Sequence, residues 1–344
     1  MTLRMRYMWA REFRLRLSKE RYRVFVRENG GAAKALEMGK GEWNDEYCAD
    51  PFLFRRDNAN WLFYETLDPH GKGVLGCFRQ TENGEWTNQG IVLEEEYHLS
   101  YPQVFEEDGH IYMIPESCDL ETGGKRASVS LYEAEAFPFG WKKRTVLIPE
   151  ALADSTLLKQ DGHYYLSALR MFPKLGAELW HAPALTGPWT LHPESAHTNQ
   201  SRRLRRNGGA FERFGGQLCR IAQDCNGDYG KRLFRVPVLE LDPARYEEGA
   251  ASLLLLDQWG ITGKVHTYNR LEAPGRTIEV VDLNDRVKFP LLWRMAAILR
   301  ICLHAMFSLS IKKKRGFRIQ LFGFQVISGT VKRRPALFEV RIGR

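Results

Sequence analysis

Cysteine is scarce and unpatterned in this 344-residue sequence. Its six cysteines (Cys48, Cys77, Cys118, Cys219, Cys225 and Cys302) include no CxxC pair, and no histidine cluster stands at metal-ligand spacing. A disulfide framework and a zinc ribbon are excluded as organising devices, and the thiols read as free or buried in a reducing compartment. No cofactor and no metal are expected. An uninterrupted apolar leader is also missing, because MTLRMRYMWAREFRLRLSKERYRVFVRE is broken by arginines too often to hold the core of a secretory signal. A cytoplasmic location is the expectation. No long amphipathic helix stands between the strand-like segments, which argues against a parallel α/β sheet.

Negative charge is almost absent from the two ends. Residues 1–27 hold 9 Lys and Arg against 2 acids, and residues 286–344 hold 14 against 1. The ends therefore carry +7 and +13 although the whole chain is only +8, which leaves −12 on residues 28–285. Nucleic-acid readers carry basic charge with interleaved aromatics on the folded domain itself. Here the body is acidic, so no nucleic-acid partner is expected.

What is present is a repeat. Asp50-Pro51-Phe52-Leu53-Phe54 leads to Trp61-Leu62-Phe63-Tyr64-Glu65, Tyr101-Pro102-Gln103-Val104-Phe105 to Ile111-Tyr112-Met113-Ile114-Pro115-Glu116, and Asp154-Ser155-Thr156-Leu157-Leu158 to His163-Tyr164-Tyr165-Leu166. Each copy has an Asp seven residues after its start (Asp57, Asp108, Asp161) and an aromatic eleven after it (Trp61, Tyr112, Tyr165). That is the grammar of a β-hairpin. Weaker copies start at Gly208 and His266, so the spacings are 51, 53, 54 and 58 residues. Second hairpins, Leu131–Trp141 and Leu179–Trp189, lie between them. Two hairpins per repeat make a four-stranded blade, and the chain is predicted to be an all-β, five-bladed β-propeller. The fifth repeat is short of strands, and Arg21–Val26 is the candidate to close the ring.

In such a ring the repeat starts Asp50, Tyr101, Asp154, Gly208 and His266 surround the mouth of the central channel. Glu65, Glu116 and Gln223, each fifteen residues further on, stand one layer out. Asp50, Glu116 and Asp154 thereby converge, and converging carboxylates in a pocket separate their pKa values as acid/base glycosyl chemistry requires. The competing reading is that Asp50 and Asp154 only cap strand starts. His98 reaches the same face, where a lone histidine can equally be structural.

The segments ADPFLF, HLSYPQVFEEDGHIYMIPES, LYEAEAFPFGW, LADSTLLKQDGHYYL, RIAQDCNGDYG and HTYN resemble the propeller at the N-terminus of plant glucosamine inositolphosphorylceramide transferases and of bacterial proteins of surface-polysaccharide assembly. The resemblance covers about residues 45–282. More distantly the chain is similar to family 43 glycoside hydrolases. Carried over by position, the resemblance implies Asp50 as general base, Asp154 as the residue that orients or tunes it, and Glu116 as general acid, while Tyr101 stands where an acid might open the second blade. It implies a carbohydrate-active domain acting in surface-polysaccharide or glycolipid biosynthesis by glycosyl transfer. The alternatives are a non-catalytic glycan-recognition module and a glycosidase-like hydrolase.

Four arginines, Arg202, Arg203, Arg205 and Arg206, precede the fourth ring position and suit a phosphate or carboxylate, although a solvated loop would look the same. Arg220, Gln223, Asp224, Tyr229 and His266 add polar groups of the kind that sugar hydroxyls need. The expected substrate is a glycan, nucleotide-sugar or lipid-linked sugar. In the tail, Pro290–Ile311 reads as an amphipathic helix with a broad apolar arc, followed by Lys312-Lys313-Lys314-Arg315. An in-plane helix on an anionic membrane surface, at the inner face, accounts for both, with a dimerisation or partner helix as the alternative. A partner glycosyltransferase is also possible. The expected domains are 1–44 (basic segment and closing strand), 45–285 (propeller) and 286–344 (basic helical extension).

Overall fold

The computed structural model describes residues 18–38, 47–117, 127–171, 175–195, 203–226, 229–273, 275–288, 295, 307–312, 316–321, 324–334 and 337–342. Short runs rich in Val, Ile, Leu and aromatic residues, bounded by Asp-Gly, Asp-Asn and Gly-Gly turns, fold as antiparallel strands. The first two are β1 (Ser18–Glu28) and β2 (Lys34–Ala35). Blade one is β3 (Ala49–Arg56), β4 (Ala59–Leu67), β5 (Gly73–Gln80) and β6 (Trp86–Leu93). Blade two is β7 (Ser100–Glu107), β8 (His110–Glu116), β9 (Val129–Ala136) and β10 (Phe139–Ile148). Blade three is β11 (Leu152–Gln160), β12 (His163–Arg170), β13 (Gly176–Ala182) and β14 (Thr190–Leu191). In blade four, β15 (Arg206–Asn207) and β16 (Glu212–Phe214) both pair with β17 (Gln217–Asp224). That strand pairs with β18 (Arg232–Leu241), which carries β19 (Tyr246–Glu248) and β20 (Ser252–Leu253). Blade five joins both ends of the ring: β21 (Tyr268–Ala273) and β22 (Arg276–Lys288) are followed across the sheet by β1 and β2.

Two local devices recur. Residues 57–58, 108–109 and 161–162 are the centres of two-residue hairpins, with positive φ at both positions, which is the type I′ geometry that Asp, Asn and Gly tolerate. The other device is a β-bulge at each of the first three repeat starts. Pairing skips one residue between Ala49 and Phe52, between Ser100 and Gln103, and between Ala153 and Thr156. Asp50, Tyr101 and Asp154 sit in these bulges at φ of 49°, 50° and 48°. Bulges re-aim side chains, and here they turn one residue per blade towards the channel.

The apolar core lies between the blades rather than at the axis. Phe63, Met113 and Trp141 fill the first seam, Ile114, Leu152 and Leu166 the second, and Tyr165, Leu179 and Val238 the third. Ile221, Trp259 and Val281 fill the fourth, and Val24, Tyr64 and Val280 the fifth.

The chain divides into two compact units, residues 21–285 and residues 1–20 with 286–344. The second contains an antiparallel meander of β23 (Phe307–Lys312), β24 (Gly316–Leu321), β25 (Phe324–Arg334) and β26 (Leu337–Ile342). The helix read over 290–311 lies, apart from Met295, outside the described residues as far as position 306. From Phe307 the chain is strand, because Phe-Ser-Leu-Ser-Ile alternates with period two and pairs with β24. Among the described residues no helix is long and apolar enough to cross a membrane.

Candidate functional site

Polar contacts close all five seams. Asp282 Oδ2 accepts the Asp50 backbone N–H at 3.0 Å, joining blade five to blade one, and Asp50 Oδ2 accepts the Tyr101 N–H at 3.2 Å, joining one to two. Glu116 Oε2 accepts the Asp154 N–H at 2.7 Å between two and three, and Asn207 Nδ2 donates to the Asp154 carbonyl at 3.0 Å between three and four. The Tyr268 N–H donates to the Gly208 carbonyl at 2.7 Å between four and five. The carboxylates at the mouth thus also hold its shape.

Asp50 stands in one cluster. Its Oδ1 accepts the Thr267 hydroxyl at 2.6 Å and lies 3.7 Å from His266 Nε2. His266 Nδ1 is 2.5 Å from Asp282 Oδ2, and Asp282 Oδ1 accepts the backbone N–H groups of His266 and Thr267 at 3.0 and 2.9 Å. Burial drives the Asp50 carboxyl up, His266 offsets part of that, and Glu65, Asp282 and Asp154 add to it, so that it stands at about 7. Burial disfavours the His266 cation, but Asp282 and Asp50 outweigh it and lift the imidazolium to about 9.

The second cluster is Glu116, Asp154 and Arg206. The Arg206 guanidinium forms an ion pair with Asp154, with Nη2 3.1 Å from Oδ1, and reaches Glu116 Oε2 at 4.0 Å. Burial and the neighbouring Asp154 push the Glu116 carboxyl well above its ordinary range, with Arg206 pulling the other way. The environments therefore set a Glu116 carboxyl held well above its ordinary range apart from an Asp50 that ionises near neutrality, the kind of separation an acid and a base require.

The remaining predicted residues divide. His98 accepts the Gly73 N–H on Nδ1 at 3.0 Å, and its Nε2 lies 3.1 Å from Glu65 Oε1. Tyr101 is fully buried; its hydroxyl accepts the Gly209 N–H at 2.7 Å and lies 3.0 Å from Thr156 Oγ1, closing the channel floor. Tyr229 is exposed at the mouth, 5.3 Å from the His266 ring and 4.9 Å from the Arg206 guanidinium. Arg203 pairs with Asp224 at 2.5 Å. Arg205 donates to the Leu175 carbonyl at 3.3 Å, and Arg202 lies outside the described residues. Gln223 is buried and donates to the Asn207 carbonyl at 2.6 Å. Arg220 is not brought to the mouth: it is buried inside blade four on Glu248, the Leu204 carbonyl and Asn207.

Three residues escaped the sequence reading. Asp282 orients both Asp50 and His266, while Tyr22 and Tyr47 extend the aromatic rim, with Tyr22 5.1 Å from His266 and 4.9 Å from Tyr47. Asp282 falls sixteen rather than fifteen residues after its repeat start, in the weakest copy.

Donor atoms of Asp50, His266 and Asp282 lie within 4.8 Å of one another, a spacing that could collect a cation. Asp282 already accepts three backbone N–H groups, and its Oδ2 lies 2.5 Å from His266 Nδ1. That leaves Asp50 and His266 Nε2, fewer ligands than protein cation sites of fixed geometry use.

The sequence matches the family model described as glucosamine inositolphosphorylceramide transferase 1, N-terminal, over residues 33–261. The chain belongs to this family. It is 35% identical over 256 residues to the glucosamine inositolphosphorylceramide transferase 1 of Arabidopsis thaliana, covering 70% of this chain and 32% of that protein. The Oryza sativa subsp. japonica transferase of the same name is 34% identical over 223 residues, covering 62% and 29%. The chain thus spans about a third of the length of these relatives. Among solved structures, an α-L-arabinofuranosidase from Lactobacillus brevis shares the fold at a TM-score of 0.50, 15% identity, and coverage of 63% of this chain and 81% of that one. A β-xylosidase does so at 0.50 and 12%, covering 73% and 94%. The propeller of this chain therefore has the fold of these two solved structures.

Proposed function

We propose that this domain carries out glycosyl transfer to or from a lipid-linked sugar during glycolipid or surface-glycan assembly. The observation that carries the reading is the placing of Glu116, its carboxyl pushed up by burial beside the Asp154–Arg206 pair, and of Asp50, brought to about 7 by burial against the pull of His266, in two separate clusters at one mouth. Glu116 would deliver a proton to a leaving glycosyl oxygen, and Asp50 would take one from the attacking hydroxyl. The relatives' names, which join glucosamine to inositolphosphorylceramide, support a lipid-linked acceptor or donor. The basic ends support a peripheral location at the inner face of the membrane, beside a partner glycosyltransferase.

The test is transfer of labelled sugar to lipid by Asp50→Asn and Glu116→Gln proteins. Each change is expected to cut turnover by ~10²–10⁴-fold and spare most substrate affinity. Unchanged glycan output with both variants would overturn the reading. It would leave the glycan-recognition role, which the limited coverage of the relatives favours.

A further inference from the structure

Beside the mouth, blades three and four line a cleft of about 460 Å³ that contains no carboxylate of either cluster and shares Arg206 and Tyr229 with the mouth. One wall is apolar, formed by Leu169, Met171 and Leu175, and Leu175 is 50% exposed. The other carries the guanidinium groups of Arg203, Arg205 and Arg206, and no carboxylate stands among the described lining residues. Arg203 and Arg206 are ion-paired outside the cleft, to Asp224 and Asp154. Arg205 is different: among the described residues it has no carboxylate partner, and its buried Nε–H has no acceptor.

An unpaired guanidinium asks for an anion, and an exposed leucine against an apolar wall asks for hydrocarbon. We propose that the cleft holds the phosphorylated head of a lipid, with its phosphate on Arg205 and Arg203 and the adjoining apolar body along Leu169, Met171 and Leu175. This assignment rests on the glycosyl-transfer reading and gives its substrate an orientation. Arg206 is the shared wall, so the phosphate lies one guanidinium away from Asp154 and Glu116 while the sugar occupies the mouth. A nucleotide diphosphate offers the same anionic chemistry, but it carries no hydrocarbon for the apolar wall.

The experiment is calorimetric titration of the full chain with dioctanoyl phosphatidylinositol below its micelle concentration, with inositol 1-phosphate, with dioctanoylglycerol and with a uridine diphosphate sugar. The phospholipid is expected to bind at least about tenfold more tightly than its headgroup, and the neutral lipid not to bind. Arg205→Gln should weaken the phospholipid about tenfold at an unchanged melting temperature, and Leu175→Ser should weaken the phospholipid but not the headgroup. Equal binding of lipid and headgroup, an Arg205→Gln protein with wild-type affinity, or no binding at all would overturn the proposal. Nucleotide-sugar binding that is lost in Arg205→Gln and untouched by Leu175→Ser would overturn it too, assigning the arginines to a diphosphate. Failure of the transfer reading looks different: the lipid binds as described, yet Glu116→Gln and Asp50→Asn leave glycan output unchanged.

Discussion

Asp282 Oδ2 accepts the Asp50 backbone N–H at 3.0 Å and also lies 2.5 Å from His266 Nδ1. A residue of the last blade thus fixes the backbone of the residue that opens the first and is the counter-ion of the ring facing it. His266 is confronted by Asp282 and Asp50 as acids, by Arg206 as a cation, and by the Tyr22 and Tyr229 rings.

Between about pH 7 and about pH 9, Asp50 is ionised while His266 keeps its proton. Transfer that uses Asp50 as base should therefore rise through about 7 and fall through about 9. Asp282→Asn removes the acid that favours the imidazolium, so the upper limb moves down. Asp282 is also among the acids that raise the Asp50 carboxyl, so its removal moves that limb down while His266 stays protonated. Following the His266 C2–H resonance against pH checks the upper limb without any substrate; an unmoved midpoint in Asp282→Asn contradicts the coupling. For folding the signs differ: the His266 contribution is present below 6.5 and lost as pH rises through about 9. The raised Asp50 carboxyl costs stability as pH climbs from 3.8 towards 7.

Tyr101→Phe leaves the buried Gly209 N–H without the hydroxyl it donates to. The expected loss is ~1–3 kcal/mol, the usual penalty for stranding a buried polar group, with the ring still assembled. Urea unfolding with an unchanged slope and an earlier midpoint is the expected record.

Next to the fourth ring position, Gly209 leaves no room for a side chain. A Cβ there would meet the Tyr268 carbonyl oxygen at 1.9 Å, at φ 140°. Gly209→Ala should cost more than ~4 kcal/mol or prevent folding. Gly216→Ala, also at positive φ (84°) but with nothing within 4 Å, should cost only ~1 kcal/mol. Similar losses at the two sites would show that the blade seam is looser than described.

We propose that the boundary after β22 is a true domain boundary. Removing residues 289–344 should leave the unfolding transition of the propeller in place and release the protein from anionic vesicles. Changing Lys312, Lys313, Lys314 and Arg315 to Gln should give a partial, salt-sensitive release. A dimerisation role predicts halved particle mass in light scattering and no vesicle binding by the full chain. Unfolding on truncation would abolish the boundary.

The blades were legible because hairpin chemistry is local. Asp57, Asp108 and Asp161 sit at positive φ for the reason their spacing implied, and the ring positions followed from counting. The partners were not legible. Arg206 stood in a run of four arginines, and only the packing of blade four on blade three singles it out to meet Asp154. Arg220 and Gln223 lie three apart on β17 and so point to opposite faces, which separates two residues that composition had grouped. Asp282 depends on a contact between strands 232 residues apart, beyond any local pattern.

The seam between β1 and β22 ties the ring to the order of synthesis. Arg27 Nη2 grips Glu279 Oε2 at 2.6 Å across 252 residues of chain. Within the propeller, the strand made first must therefore wait for the one made last. Until then four blades stand as an open arc whose inter-blade apolar faces are exposed at both ends. Closure joins residues 252 apart in the chain, a non-local pairing of the kind that slows folding. A circular permutant that opens the chain at the Asp242–Arg245 turn would make β1 and β22 neighbours in synthesis and close that seam early.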